Sequence, residues 1–439
     1  RNIYGNYSRD QLEIISISED SEDLLRSFAE EHDIEWTVAH CTVNLFDLYD
    51  VRATPTIFII DIQHYIEYKH VGLTGESALK SEIESLLLKR IYVDDDNTSG
   101  PWDGTKDYPY QNITSGLEHA STGDIICVYN GIYYEHVVVN KTVSLVGENR
   151  NNTIIDGNGS GNVIYVTSND TLIQSLTIQN GQYGVVLNHS HRSTVTTNNV
   201  YSCYDYGVYL SYSSNNTLTG NDVSHNSWAG IWIGDSSYNI ISYNTATNNH
   251  IGIRSTGPSH YNLFKENTLS DNDEGIHLNS NYNTFMGNIA IDNVIGINLW
   301  AWYNNITGNL LSNSSIRIED ANYNNIYHNN FYDVSISWHG VIHTNNNWDN
   351  GCEGNYWSDY NGTDTSIPSD GVGDTYIPWQ GVDYYPLMNP YWNPADINHD
   401  LKVDMKDIFT MILAFNSHPS HPKWNPHADI TGSEYLVPD

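Results

Sequence analysis

Between residues 170 and 330 the apolar positions follow neither the 3.6 spacing of a helix nor one continuous run. They come in short alternating bursts, such as Gly207-Val-Tyr-Leu, Gly230-Ile-Trp-Ile and Gly275-Ile-His-Leu, separated by polar corners. Alternation with period two is the signature of a strand with one buried face. The bursts also repeat. Aligning Asp170-Thr-Leu-Ile, Ser193-Thr-Val-Thr, Asn216-Thr-Leu-Thr, Asn239-Ile-Ile-Ser, Asn262-Leu-Phe-Lys, Asn283-Thr-Phe-Met, Asn304-Asn-Ile-Thr and Asn324-Asn-Ile-Tyr gives steps of 23, 23, 23, 23, 21, 21 and 20 residues. Five residues after most of these anchors stands a second Asn: Asn198, Asn221, Asn244, Asn267, Asn288, Asn309 and Asn329. A third register carries Gly184, Gly207, Gly230, Gly252, Gly275 and Gly296.

A unit this short cannot bury its own apolar face, so it must stack on copies of itself. Strands with tight corners, stacked coil on coil, make continuous parallel sheets. The mostly β fold predicted over 91–392 is therefore a right-handed parallel β-helix. Amides in register can hydrogen-bond from coil to coil along the axis. Asn suits the corners because its short amide tolerates left-handed backbone and bonds locally, and the register glycines are expected where a corner needs positive φ. A Leu-rich repeat pattern is missing, and helical repeats would need the other period.

The segment before the repeat reads differently. Over 1–90 a strand is predicted at Leu12–Ser18, then an acidic helix start at Ser21-Glu-Asp with Leu24, Leu25 and Phe28 on one stripe. Tyr49-Asp-Val-Arg-Ala-Thr-Pro-Thr-Ile-Phe-Ile-Ile-Asp follows, with a strand near Tyr65–Tyr68 and a helix at Ser77–Leu88. This resembles the C-terminal two-thirds of a thioredoxin-like domain, which implies a cis Thr54–Pro55 bond. The family's CxxC would precede Arg1, and Cys41 has no partner at redox spacing, so a partial domain lacking CxxC, without redox activity, is expected.

The flanks of the repeat carry further patterns. A cap over 91–157 includes Ile91-Tyr-Val-Asp-Asp-Asp, a short helix at Ile113–Ala120 expected to plug the open core, and Gly123-Asp-Ile-Ile-Cys-Val-Tyr. A closing cap over 345–390 holds Asn347-Trp-Asp-Asn-Gly, Gly354-Asn-Tyr-Trp-Ser-Asp-Tyr, Asp370-Gly-Val-Gly-Asp and Asp383-Tyr-Tyr-Pro-Leu-Met. Together these resemble the NosD-like β-helix family over roughly 91–390, a family common in archaeal surface proteins. Some of its members are associated with copper. Copper needs convergent His, Cys or Met; His339 and His343 lie in a loop-like stretch and Met is scarce, so no copper role is expected.

Residues 393–439 change character again. Asp396-Ile-Asn-His-Asp-Leu-Lys-Val-Asp-Met-Lys-Asp places oxygen ligands at loop positions 1, 3, 5, 9 and 12, which are Asp396, Asn398, Asp400, Asp404 and Asp407, with the Lys402 carbonyl at position 7. That ring suits Ca²⁺. With Trp424-Asn-Pro-His-Ala-Asp opening a second loop, the segment resembles a truncated type I dockerin, which implies a cohesin-like partner. Leu401 stands where the family has Gly, and Thr431 and Ser433 replace carboxylates.

Charge narrows the partners. The 439 residues carry 53 Asp and Glu against 18 Lys and Arg, a net charge of −35. Such a chain repels nucleic-acid phosphates and anionic membrane surfaces. No stretch approaches the ~18–20 apolar residues of a membrane span. Cys41, Cys127, Cys203 and Cys352 lie far apart and read as lone thiols. Scattered glycosylation sequons, Asn112-Ile-Thr among them, favour an extracellular or cell-surface location.

Two residues after each register Gly stand Val186, Tyr209, Trp232, Arg254, His277 and Asn298, with Arg317 in the next coil. Gly+1 and Gly+3 are apolar and should face inwards, so these residues should face outwards in one file. Aromatic faces beside Arg, His and Asn are what sugar rings and hydroxyls use. A polysaccharide- or glycan-binding surface module is the leading reading. The alternatives are a polysaccharide lyase or glycoside hydrolase and a structural surface-layer spacer. No catalytic residue is assigned: Asp271, Asp273 and Asp292 fall at turns, and no Arg-x-Lys element accompanies them.

Overall fold

A computed structural model describes residues 3, 7, 12–41, 45–60, 65–87, 89–339 and 345–391. The chain divides into two compact units, Arg1–Lys89 and Arg90–Asp439. In the first, strands Ile15–Ser18 and Thr37–His40 pair in parallel around helix Glu22–Glu31. That helix opens with Glu22 and Asp23, acidic side chains favoured by the partial positive charge at a helix N-terminus. Strands Thr56–Ile60 and Ile66–Val71 pair antiparallel before helix Glu76–Leu86, and the Thr54–Pro55 bond is cis.

The second unit is a parallel β-helix. Its strands fall into three parallel sheets of 11, 10 and 11 strands, each strand pairing with its counterparts one coil before and after. Many strands are only three residues long and bury just the middle one, as in Thr194–Thr196, Thr217–Thr219 and Asn305–Thr307. Each sheet thus contributes one column of inward side chains. Ile173, Val195, Leu218, Ile241, Phe264 and Phe285 form one such column, all essentially inaccessible to solvent. The Phe264 and Phe285 rings stack with centroids 4.2 Å apart.

The corners are held by the predicted amide ladders. Asn239 Nδ2 donates to Asn262 Oδ1 at 3.0 Å and Asn262 Nδ2 to Asn283 Oδ1 at 3.2 Å. The backbone N–H groups of the same residues donate in parallel to the same oxygens, at 2.9 Å in both steps. The Asn198-to-Asn329 register forms a second ladder that continues to Asn355. A third, through Asn226, Asn249, Asn272 and Asn293, extends from Cys203 to Ser314. Each rung satisfies a buried N–H and a buried carbonyl that the turn would otherwise orphan.

Two corner assignments are corrected. The ladder asparagines are not themselves left-handed; through Asn324 in the first ladder and Asn329 in the second, the residue just before each one is. Tyr238, Tyr261, Tyr282, Tyr303 and Tyr323 have φ of 58–60°, and Gly220, Gly287 and Gly308 fill the same role in the second ladder. The register glycines are not at positive-φ corners either. They face the core, where a Cβ on Gly207 would lie 2.4 Å from Val223 Cγ1 and 2.8 Å from the Gly230 carbonyl oxygen. Only Gly lets the coils close there.

Both ends of the solenoid are plugged. Helix Ile113–His119 buries Ile113 and Leu117 in the core. Its cap is Asn112, whose side chain accepts from the Ser115 N–H at 2.8 Å, and the Glu135 carboxylate takes the Ile113 and Thr114 N–H groups. At the other end Trp348 and Trp357 close the core, with Tyr360, Trp379 and Val382 packed over them. The sheet ends are therefore not left as an open apolar surface.

Candidate functional site

The outer face of the ten-stranded sheet carries the file anticipated from the sequence. Strand registers pair Val186 with Tyr209, Tyr209 with Trp232, Trp232 with Arg254, Arg254 with His277, His277 with Asn298 and Asn298 with Arg317. At the ~4.8 Å strand spacing, seven residues in register span roughly 29 Å along the axis. Gly+1 residues such as Val208 and Ile231 are fully buried, as the alternation requires. Within the file Tyr209, Trp232, Arg254, His277 and Arg317 are half-buried, whereas Val186 and Asn298 are covered.

The face has an aromatic half and a polar half. In the first, Tyr209 meets Trp232 at 5.4 Å, Tyr183 packs against Tyr209, and Tyr206 packs against both, lying edge-on to Trp232 at 4.3 Å. Burial pushes the Tyr206 phenol up to about 12, so it remains a hydrogen-bond donor at any physiological pH. Thr256 accepts from Trp232 Nε1 at 2.7 Å and fixes the indole. The Arg254 guanidinium lies 4.8 Å from the Trp232 ring centroid and 6.0 Å from that of Trp228.

In the polar half Glu274 is the hub. It accepts from His277 Nδ1 at 2.6 Å and Asn298 Nδ2 at 2.9 Å. Burial works to raise its carboxyl, but the bonds from His277 and Asn298 win and hold it below the usual range. Asn298 in turn accepts from Trp300 Nε1 at 2.9 Å, and His250 bonds Asp273 at 2.7 Å one coil earlier. Arg317 lies 3.9 Å from Glu319.

Tyr183, Tyr206 and Glu274 escaped the sequence reading because they precede the register Gly. Simple alternation points that position inwards. Gly and Gly+1 both face the core, so the phase flips and the residue before Gly emerges beside the file. A second exposed aromatic column was also missed, although its signal is plain: Tyr directly precedes Asn in five successive ladder steps. Tyr238, Tyr261, Tyr282, Tyr303 and Tyr323 stack with centroids 5.1–5.7 Å apart and interplanar angles of 2–21°. Their faces are covered by one another, leaving ring edges and hydroxyls to solvent.

The other anticipated sites divide in two. Asp271, Asp273 and Asp292 are exposed, and Asp292 accepts from Asn313 Nδ2 at 2.8 Å. Asp396, Asn398, Asp400, Lys402, Asp404 and Asp407 lie outside the described residues, as does His343; His339 is exposed at the end of its strand.

Residues 117–299 match the family described as periplasmic copper-binding protein (NosD). The match runs from the plug helix of the opening cap into the repeat and stops short of the closing cap. No curated protein matches the chain. Among solved structures, an alginate lyase from Paenibacillus sp. is 16% identical over 52% of this chain and 91% of its own, with a TM-score of 0.34. The A-module of a mannuronan C-5 epimerase from Azotobacter vinelandii is 15% identical over 55% of this chain and 78% of its own, with a TM-score of 0.40. A pectate lyase is 15% identical over 60% and 81%, with a TM-score of 0.39. These are likenesses of coiled architecture and carry nothing about chemistry. Among the described residues no three of His, Cys, Asp or Glu gather where they could hold a metal ion. Among the same residues no helix is long and apolar enough to cross a membrane.

Proposed function

We propose that this protein is a secreted or cell-surface module that holds a polysaccharide or glycan along the outer face of its ten-stranded sheet. The observation that carries the reading is the in-register run from Tyr209 through Trp232 and Arg254 to His277 and Asn298. It sets half-buried aromatic surface directly beside fixed hydrogen-bonding groups over several coils. Rings held on a rigid sheet lose little entropy when a sugar docks. The acidic composition and the periplasmic description of the matched family favour a location outside the cytoplasm. Replacing Tyr209 and Trp232 together with Ala should lower retention on polysaccharide affinity gels by about tenfold or more, as loss of a binding hot spot does. Tyr303→Ala, in the self-stacked column, should leave retention unchanged. Equal retention of the double variant and the parent chain would remove the proposal.

A polysaccharide lyase or hydrolase is the second reading, and one observation favours it. His277 is oriented by Glu274 at 2.6 Å, the arrangement of a general base held by a carboxylate. The same glycan panel, read for new reducing ends and unsaturated-uronate absorbance, separates turnover from binding.

A calcium-bound, dockerin-like tail is proposed for attachment to a cohesin-like partner, supported by the ligand spacing from Asp396 to Asp407. Calorimetric titration of the full chain should reveal a Ca²⁺ site that Asp396→Ala weakens at least tenfold; identical isotherms for parent and variant would end this part of the reading.

A further inference from the structure

We infer that the chain held on this face is acidic, its anionic groups received by Arg254 and Arg317. The inference rests on the glycan reading above and names the substrate class for the same site.

Between residues 193 and 391 the sequence carries only three Lys or Arg residues, Arg254, Lys265 and Arg317. Lys265 is paired with Glu266 at 3.1 Å. The other two both fall in the outward file, three coils apart, or ~14 Å at the strand spacing. Two cations aligned on one face of so acidic a chain need a physical reason.

Neither arginine has its hydrogen-bonding capacity met. Among the described residues Arg254 has no carboxylate within ion-pair distance, and its Nε is buried without an acceptor. Arg317 Nε is likewise buried without an acceptor, and Glu319 stands off at 3.9 Å. A buried N–H left without an acceptor is costly, and the rest of each half-buried guanidinium stays open to a partner. Among the described residues only Glu319 comes within ion-pair distance of either arginine, at Arg317, and it makes no hydrogen bond there. Glu274 is already bonded by His277 and Asn298, and Asp273 by His250. What remains is a pair of planar donors, one of them seated on Trp232, the geometry that receives a planar or tetrahedral oxyanion.

The net charge of −35 does not forbid this. At physiological ionic strength the Debye length is about 8 Å, so remote acidic residues are screened and the local arginines decide.

The shared chemistry is an oxyanion borne by a sugar, either a carboxylate or a sulfate ester, and the test separates them. Binding to the whole chain is measured for polygalacturonate, for its fully methyl-esterified form, for a sulfated galactan and for its desulfated counterpart. At least one acidic polymer should bind about tenfold tighter than its neutral partner, in line with a charge-assisted bidentate contact. Arg254→Gln should abolish that preference, while Arg254→Lys retains only part of it. Thermal unfolding of both variants, unchanged from the parent, shows that the fold is intact. Preference for the polygalacturonate pair identifies carboxylate, and for the galactan pair sulfate. If neutral and acidic forms bind alike while the Tyr209 and Trp232 double variant still loses binding, the glycan reading stands and this inference falls. If no polymer binds, both fall.

Discussion

Replacing Asn244 with Ala is expected to destabilise the solenoid by on the order of 4 kcal/mol, more than most single substitutions in a protein of this kind. Asn244 is buried in the middle of the longest ladder. Its Oδ1 accepts from both the N–H and the Nδ2 of Asn221, at 3.1 and 2.9 Å. Its Nδ2 donates to Asn267 Oδ1 at 3.0 Å and to the Leu218 carbonyl at 2.9 Å. Ala removes all four bonds and strands a backbone N–H and a carbonyl in the interior, each at about 1–3 kcal/mol. Asn244→Asp distinguishes ladder chemistry from volume: it keeps the size and the acceptor but loses the donor and buries a charge against Asn267 Oδ1. It should be at least as damaging as Ala. Urea unfolding followed by circular dichroism measures both. A loss under 1 kcal/mol for either variant would show that the ladder contributes little.

The closing cap should respond to acid in the opposite sense to most carboxylate-rich structures. The second ladder ends on Asp383, which stands where one more Asn would stand. Its Oδ2 accepts from the Asn355 N–H at 2.8 Å and Trp357 Nε1 at 2.9 Å, and its Oδ1 from the Tyr385 N–H at 3.0 Å. With no further coil to serve, the terminal residue needs only acceptors. The ladder's aligned N–H groups point towards this end, so a negative charge here is partly compensated, as at the N-terminus of a helix. Burial nevertheless dominates and pushes the carboxyl up to about 6 from an ordinary value of 3.8. Between those values the folded state holds more protons than the unfolded one, so stability from this group falls as pH rises from about 4 to 6. The whole shift corresponds to roughly 3 kcal/mol, of which about 2 is lost between pH 4 and pH 7. Asp383→Asn mimics the protonated acid and removes this dependence. Melting temperatures of parent and Asp383→Asn, compared from pH 4 to 7, should show the parent losing ground as pH rises. Carboxylates held low, such as Asp156 and Glu274, act the other way but cancel in the comparison. A difference that is flat with pH, or that grows in the parent's favour, refutes the assignment.

The ladder itself was legible because it obeys a strict period. Two of its three columns follow from counting asparagines. The third was overlooked because it starts on Cys203 and ends on Ser314, which dilutes the pattern at both ends. The roles of Gly and Asn at the corners were misread for a shared reason. Both residue types tolerate left-handed backbone, so composition alone places that conformation on them. In the coil it falls on the residue before a ladder Asn, which is Tyr, His, Asp or Thr as readily as Gly, and on none of the register glycines.

The sequence by itself determined that this chain coils, with what repeat, which residues face outwards two places after each Gly, and that Arg254 and His277 share their file. These follow from periodicity, and periodicity is a one-dimensional property. Only the tertiary structure decided that Tyr183, Tyr206 and Glu274 join that face, that the tyrosine column hides its ring faces, and that Asp383 completes a ladder begun at Asn198. Each depends on which atoms stacking brings within reach: a doubled inward step at Gly, rings meeting across coils, and a cap residue folding back onto an amide 28 positions away.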